Sequence, residues 1–109
     1  MTKDDSEDLK APAGGFKMRR VHPGLTLAET IREHGLTAHA LALKLRVPAN
    51  RITGIVNGRR GITADTALRL ARYFGTTAAF WMNLQSSYDL YVAERDLGEK
   101  IAAEVEKAA

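Results

Sequence analysis

The sequence predicts an all-α domain, and three observations support that fold class. Apolar residues recur at helical spacing in every segment from Leu25 onward. Capping and stopping residues bound these segments, with Thr37 and Thr63 at predicted helix starts and Gly58 and Gly75 at predicted helix ends. Hydrophobic residues make up 45% of the 109 residues, which is enough for one small core. We therefore expect a helical domain in which no strand is essential to the core.

The first helix is predicted to follow the tripeptide HPG at residues 22–24. Thr26 and Glu29 have the spacing of a capping box, in which each side chain bonds a free backbone N–H of the first turn. The helix would then run through His34 and end at Gly35. Its predicted buried face consists of Leu27 and Ile31, with Ala28 beside them.

The stretch from Leu36 to Gly58 predicts two short helices joined by a tight turn, a helix-turn-helix. The first runs from about residue 38 to residue 45 and is capped by Thr37, whose hydroxyl can accept a backbone bond. Pro48 cannot donate a backbone bond and is typical of helix starts. The turn therefore falls at Arg46 and Val47, and the second helix begins just after Pro48.

The second helix separates apolar from polar residues, with Ile52, Ile55 and Val56 on one stripe. Asparagine can bond adenine bidentately, and arginine can fork onto guanine, so the opposite side is suited to reading bases. A bare backbone at Gly54 could let the helix lie deep in a major groove, although glycine costs about 1 kcal/mol relative to alanine. The alternative is a merely solvated face with a tolerated glycine. Candidate base-reading residues are Ala49, Asn50, Arg51, Thr53, Gly54 and Asn57.

Positive charge is concentrated around this unit. The net charge is +3, yet residues 16–60 hold nine lysines or arginines against two glutamates, and both ends of the chain are net acidic. This distribution is expected of a surface that faces phosphates. The alternative for individual cations is plain surface charge. Candidate phosphate contacts are Thr37, Lys44, Arg46, Arg59 and Arg60.

Two further helical segments are predicted after Gly58. One begins at its cap Thr63, carries Asp65 in its first turn where a negative charge complements the helix dipole, and stops at Gly75. The other is capped by Thr77 and runs from about Ala78 to Tyr88 or beyond. The residues of the first segment expected to face inward are Ala67, Leu68, Ala71 and Phe74.

The stretch from Tyr88 to Ala108 predicts an additional amphipathic helix, with Gly98 as a candidate bend. Its apolar residues need a partner, either the core of the same chain or a second chain. The aromatic residues nearby are more typical of a core than of a ligand site. The residues assigned to the core or to a dimer interface are Phe80, Trp81, Leu84 and Leu90.

This pattern predicts three parts of the chain. Residues 1–21 are expected to be a flexible N-terminal tail, because they are polar, charged and interrupted by proline and glycine. Residues 22–87 would form the helix-turn-helix DNA-binding domain. Residues 88–109 would form a C-terminal helical extension for dimer or partner contact.

The sequence shows no chemistry that requires catalysis. It contains no cysteine, its three histidines lack metal-binding spacing, and it carries no phosphate-binding glycine motif. We therefore expect no catalytic residue, no metal, no cofactor and no enzymatic activity. No apolar run is as long as a membrane span, so we also expect no membrane partner and a cytoplasmic location.

The order HPG, then LTAHALALKLRVPANRITGIVNGRRGITADTALRLARYFGTT, then FWMNLQ resembles the HigA/VapI branch of the Xre-type helix-turn-helix proteins. The resemblance covers roughly residues 22–91. It implies a lambda-repressor-like five-helix DNA-binding domain with an additional C-terminal helix. It also implies an antitoxin of a type II toxin–antitoxin system that binds operator DNA as a homodimer, represses its own operon and neutralises a small RelE-like mRNA-cleaving toxin of the HigB type. The residues that would bind the toxin are not assigned.

The chain departs from this family pattern at several positions. Leu25 replaces the usual Glu after HPG, Ala38 replaces Gln, and Pro48 replaces Ser or Thr. Arg46 replaces a turn glycine, where a left-handed backbone costs about 1 kcal/mol. Ala78-Ala79 replaces Pro-Glu. Two other functions stay open from the sequence: a stand-alone Xre-type repressor without a toxin partner, and a protein-interaction adaptor that has lost DNA binding.

Overall fold

A computed structural model describes residues 22–108 of the chain, so the predicted tail at residues 1–21 lies outside the described residues. The described part contains five helices and no strand, which confirms the predicted all-α fold. None of these helices combines the length and apolar character needed to cross a bilayer. The helices are α1 Pro23–Glu33, α2 Ala38–Leu45, α3 Ala49–Val56, α4 Ala64–Phe74 and α5 Ala78–Glu104.

One hydrophobic core lies among the helices of the compact unit that ends at Gln85. Within it, α3 packs against both α1 and α2, and α2 also packs against α4. Trp81 from the start of α5 is fully buried, and its indole Nε1 donates to Thr76 Oγ1 over 2.8 Å. The side chain therefore fills the core without leaving its N–H unpaired. The buried apolar residues are Leu27, Ile31, Leu41, Ala42, Leu45, Ile52, Ile55, Ile62, Ala67, Leu70 and Trp81.

The start of α1 differs from the predicted capping box. The helix begins at Pro23, and His22 is its N-cap, with Nδ1 accepting a 2.9 Å bond from Gly24 N–H. Thr26 lies inside the helix, so its predicted capping role is wrong. Proline is favoured at a first helical position because its missing N–H would be unpaired there in any case. Gly24 follows because an added Cβ would collide with the carbonyl oxygen of Ile55 in α3.

The inward face of α4 is also shifted from the prediction. Ala67 is fully buried and Ala71 and Phe74 are half-buried, as expected. Leu68 is 63% exposed, so its predicted inward position is wrong, and Leu70 is buried instead. Ala67, Leu70 and Phe74 follow helical spacing, whereas Leu68 lies about 100° around the axis from Ala67.

The predicted fifth helix and the additional C-terminal helix are one continuous element, α5, which runs without interruption through Gly98. Of the side chains assigned to a core or a dimer interface, Trp81 is buried and Leu84 is half-buried. Phe80 and Leu90 are exposed, at 42% and 65%. The later part of α5 and the residue after its end expose further large apolar side chains, namely Leu97, Ile101 and Val105.

Candidate nucleic-acid interface

The helix-turn-helix has the predicted boundaries. Thr37 Oγ1 accepts from Ala40 N–H over 3.1 Å and caps α2. At the other end, Arg46 adopts a left-handed conformation with φ 63° and ψ 45°, and is the only non-glycine residue with positive φ in the described part. Arg46 N–H and Val47 N–H donate back to the last turn of α2, at 3.2 and 3.1 Å. These bonds fix the turn that leads to Pro48 and α3.

The recognition helix α3 has a buried and an exposed side. Ile52 and Ile55 are fully buried, whereas Asn50 and Asn57 are exposed and Thr53 is half-buried. Ala49, also a candidate base reader, is half-buried against the core. The exposed amides belong to α3 and to its C-cap residue, and the opposite side of the helix packs into the core, which is the arrangement needed to present donors and acceptors to base edges.

Gly54 differs from the predicted geometry. It is buried, and an added Cβ would lie 2.7 Å from Cδ of Arg60. The interpretation that its bare backbone lies open at the centre of the outer face is therefore wrong, because the side chain of Arg60 covers it. Residues six apart in sequence meet here because the chain turns at Gly58 directly after α3.

Arg51, another candidate base reader, is held by an ion pair. Its Nη1 donates to Asp65 Oδ2 over 2.8 Å, and Asp65 Oδ1 accepts from Arg69 Nε over 2.7 Å. Arg69 Nη1 also donates to the carbonyl of Leu45 over 2.9 Å. Hydrogen bonds from Arg69, which has the larger effect, and from Arg51 hold the pKa of the Asp65 carboxyl below its usual value. Asp65, predicted only as a dipole partner, thus ties α4 to α3 and, through Arg69, to the end of α2.

Gln85 supports the loop that follows the recognition helix, a role that sequence reasoning missed. Its Oε1 accepts from Ile62 N–H over 2.7 Å, across 23 residues of sequence. Its amide lies so close to Gly61 that an added Cβ would come within 2.8 Å. No local pattern marks this contact, although Gln85 ends the FWMNLQ segment that carries the family resemblance.

The candidate phosphate contacts are all exposed, but they do not all lie close together. Arg46, Arg59 and Arg60 are exposed, and none of them forms an ion pair with another described residue. Thr37 and Lys44 lie at opposite ends of α2, about 10 Å apart along its axis. Lys44 is likewise exposed and forms no ion pair with another described residue, and it lines an open groove of about 500 Å³ with Leu68 and Arg72 of α4. The structure therefore does not bring Lys44 together with Thr37.

A family model described as helix-turn-helix matches residues 27–81. The chain belongs to the helix-turn-helix family. Within this family it is 53% identical over 89 residues to virulence-associated protein I of Dichelobacter nodosus, which covers 81% of this chain and 82% of that protein.

Two solved structures of the family are similar throughout their length. An addiction module antidote protein of the HigA family from Coxiella burnetii is 50% identical, with a TM-score of 0.79, covering 83% of this chain and 99% of that one. The Pseudomonas aeruginosa antitoxin HigA, solved with the higBA promoter, is 45% identical, with a TM-score of 0.80 and the same coverage. These helix-turn-helix proteins are DNA-binding antitoxins and regulators rather than enzymes, and this chain is of the HigA/VapI type.

Proposed function

We propose that this helix-turn-helix protein is the antitoxin of a type II toxin–antitoxin system. It binds operator DNA as a homodimer, represses its own operon and neutralises a HigB-type, RelE-like toxin that cleaves mRNA. The observation that carries the DNA-binding part is the exposed polar side of α3, followed directly by Arg59 and Arg60, which pair with no described carboxylate. The similarity to an antitoxin solved with promoter DNA supports the same assignment.

The base-reading residues and the phosphate-contacting residues have different roles in recognition. Asn50 and Thr53 lie near the start of α3, where recognition helices usually meet base edges, and Asn57 extends the same side. Arg59 and Arg60 follow the helix end and contact phosphates, as does the N-terminus of α2 at Thr37. Nη1 of Arg51 is held by Asp65, which leaves fewer donors of this guanidinium for a base, so Arg51 contributes less to specificity than Asn50 does.

This division is tested by titrating operator and scrambled duplexes at several salt concentrations. Asn50→Ala or Thr53→Ala should reduce the preference for operator by about 1–3 kcal/mol where a good base contact is lost. Arg59→Ala or Arg60→Ala should weaken binding to all sequences and lower the salt slope by about 0.9 per phosphate contact. Arg95→Ala, which removes an exposed arginine of α5 paired with Asp96, is the matched control and should do neither.

Two outcomes would contradict this assignment. If Asn50→Ala leaves the operator preference unchanged while Arg60→Ala alters it, the roles are reversed. If the unmodified protein prefers no palindrome upstream of its own operon, with half-sites about one helical turn apart, it is not an autorepressor.

The antitoxin part is tested separately. The product of a short basic reading frame beside the gene should co-purify with this chain, and its mRNA cleavage should cease in the complex. Operator binding without any such complex would favour the stand-alone repressor.

A further inference from the structure

A glycine in the middle of the recognition helix requires a physical reason, because only proline is less favourable in a helix interior. Gly54 is buried, yet helices do not close around it: the nearest atoms to an added Cβ are Cδ and Cγ of Arg60, at 2.7 and 3.1 Å. Cβ atoms in folded proteins essentially never show a contact shorter than 3.0 Å. The space of the missing side chain is therefore occupied by the aliphatic stem of Arg60.

The backbone of Arg60 is attached to the same glycine. The carbonyl of Gly54 accepts from Arg59 N–H over 2.8 Å and from Arg60 N–H over 3.2 Å. Main chain and side chain of Arg60 are thus both placed relative to Gly54. An arginine that is confined before binding loses less side-chain entropy when its guanidinium meets an anion.

Gln85 holds the far side of the same loop. Its Oε1 bonds Ile62 N–H at 2.7 Å, and its amide packs on Gly61. The segment between Gly58 and Ile62, which carries both exposed arginines, is therefore held to α3 at one end and to α5 at the other. The side-chain contact between Gly54 and Arg60 and the bond to Gln85 both lie outside the buried stripe of α3, where Ile52 and Ile55 anchor the helix to the core.

We propose that Gly54 and Gln85 are positioning residues, which fix Arg60 across the end of the recognition helix so that its guanidinium contacts a DNA phosphate. The inference rests on the proposed DNA binding and deepens it. Gly54 leaves the space that the side chain of Arg60 occupies. Gln85 holds the loop in the position in which Arg60 fills that space.

The decisive variant is Gly54→Ala. Its methyl group displaces only the aliphatic stem of one exposed, flexible side chain and no backbone, so the protein should fold and its melting temperature should not fall. The salt slope of operator binding should nevertheless drop by about 0.9, as for Arg60→Ala. The double variant with both changes should show no further drop, because each removes the same contact. The matched control is Gly98→Ala in α5, where an added Cβ meets nothing within 4 Å and DNA binding should be unchanged.

Gln85 is tested by a pair of near-isosteric changes. Gln85→Met removes the acceptor, so the Ile62 amide should exchange faster by NMR and the salt slope should fall. Gln85→Glu retains an acceptor oxygen and should preserve both the protection of Ile62 and the slope.

The possible outcomes are separable. An unchanged salt slope of operator binding in Gly54→Ala, or additive losses of slope in the double variant, would overturn the positioning role of Gly54. Faster exchange of Ile62 with an unchanged slope would overturn the role of Gln85. An unmodified protein that binds no DNA at any salt concentration would instead overturn the proposed function, and this inference with it.

Discussion

Single residues shape the helix-turn-helix in ways that their residue types alone would not predict. Arg46 occupies a turn position at φ 63°, where a residue with a side chain has a conformational cost of about 1 kcal/mol that glycine does not have. Gly54 is a helix interior residue whose missing side chain makes room for Arg60. In both cases the residue present is disfavoured by local propensity, which is typical of positions that serve a site rather than the fold.

At the same scale, Trp81→Ala should reduce the free energy of unfolding by about 3–5 kcal/mol, because it removes the largest fully buried side chain from the core. Chemical denaturation monitored by circular dichroism measures the change. Phe80→Ala is the matched control: its ring is 42% exposed and contacts Trp81 edge-on at 5.0 Å between centroids, so the loss should be much smaller. Equal losses for the two variants would show that burial does not distinguish them.

Helices whose ends are marked by local chemistry could be predicted from sequence. The boundaries of α2 and α3 follow from Thr37, Pro48 and the turn between them, all of which act within a few residues. The orientation of Gly54 could not be predicted, since it depends on a side chain that returns after the chain turns. The exposure of Leu68 is not evident from sequence either, because an apolar residue next to a core position fits a helical stripe almost as well as Leu70 does.

Contacts between elements were the least predictable part of the site. The spacing of Asp65 and Arg69 indicates a pair on one helix, but the third member, Arg51, comes from another helix. Gln85 bonds a backbone N–H 23 residues away, and a backbone group has no signature in the sequence. Both contacts are set by how helices pack rather than by any local pattern.

The junction of α2, α3 and α4 at Asp65 should make stability depend on pH. The hydrogen bonds from Arg69 and Arg51 lower the pKa of Asp65 in the folded state, so the folded protein binds fewer protons than the unfolded chain. The stabilisation is present above the unfolded pKa and is lost as the pH falls through the folded value. Asp65→Asn should therefore melt at a lower temperature than the unmodified protein at pH 7, with the gap closing under acid conditions. In a background of Arg51→Gln and Arg69→Gln, the same change should have little effect at either pH.

The whole molecule carries a row of exposed apolar side chains that its own described residues leave uncovered. Leu90, Leu97 and Ile101 are 65%, 46% and 49% exposed, and their spacing puts them on one side of α5. A contiguous apolar surface of this kind usually marks an interface. We attribute it to the proposed homodimer, in which two reading units address two operator half-sites.

Leu97→Glu should therefore shift the protein from dimer to monomer in sedimentation velocity, because a carboxylate buried in an apolar interface has no partner. The helical signal should persist, since Leu97 is not among the buried core residues. Leu43→Glu, at an α2 side chain that is 77% exposed, is the control and should leave the sedimentation coefficient unchanged. A protein that sediments as a monomer before any substitution would refute the dimer.

Trp81 is also the last buried residue along the described chain, so the core is completed late in synthesis. Synthesis proceeds from the N-terminus, so both helices of the reading unit leave the ribosome before the residue that closes the core beneath them. Until Trp81 emerges, the core lacks its largest side chain. Until Gln85 emerges, the loop that carries Arg59 and Arg60 lacks the hydrogen bond at Ile62. A nascent chain that has just completed α3 already contains the residues proposed to read bases, but gains the residues that hold them in place only about thirty residues later.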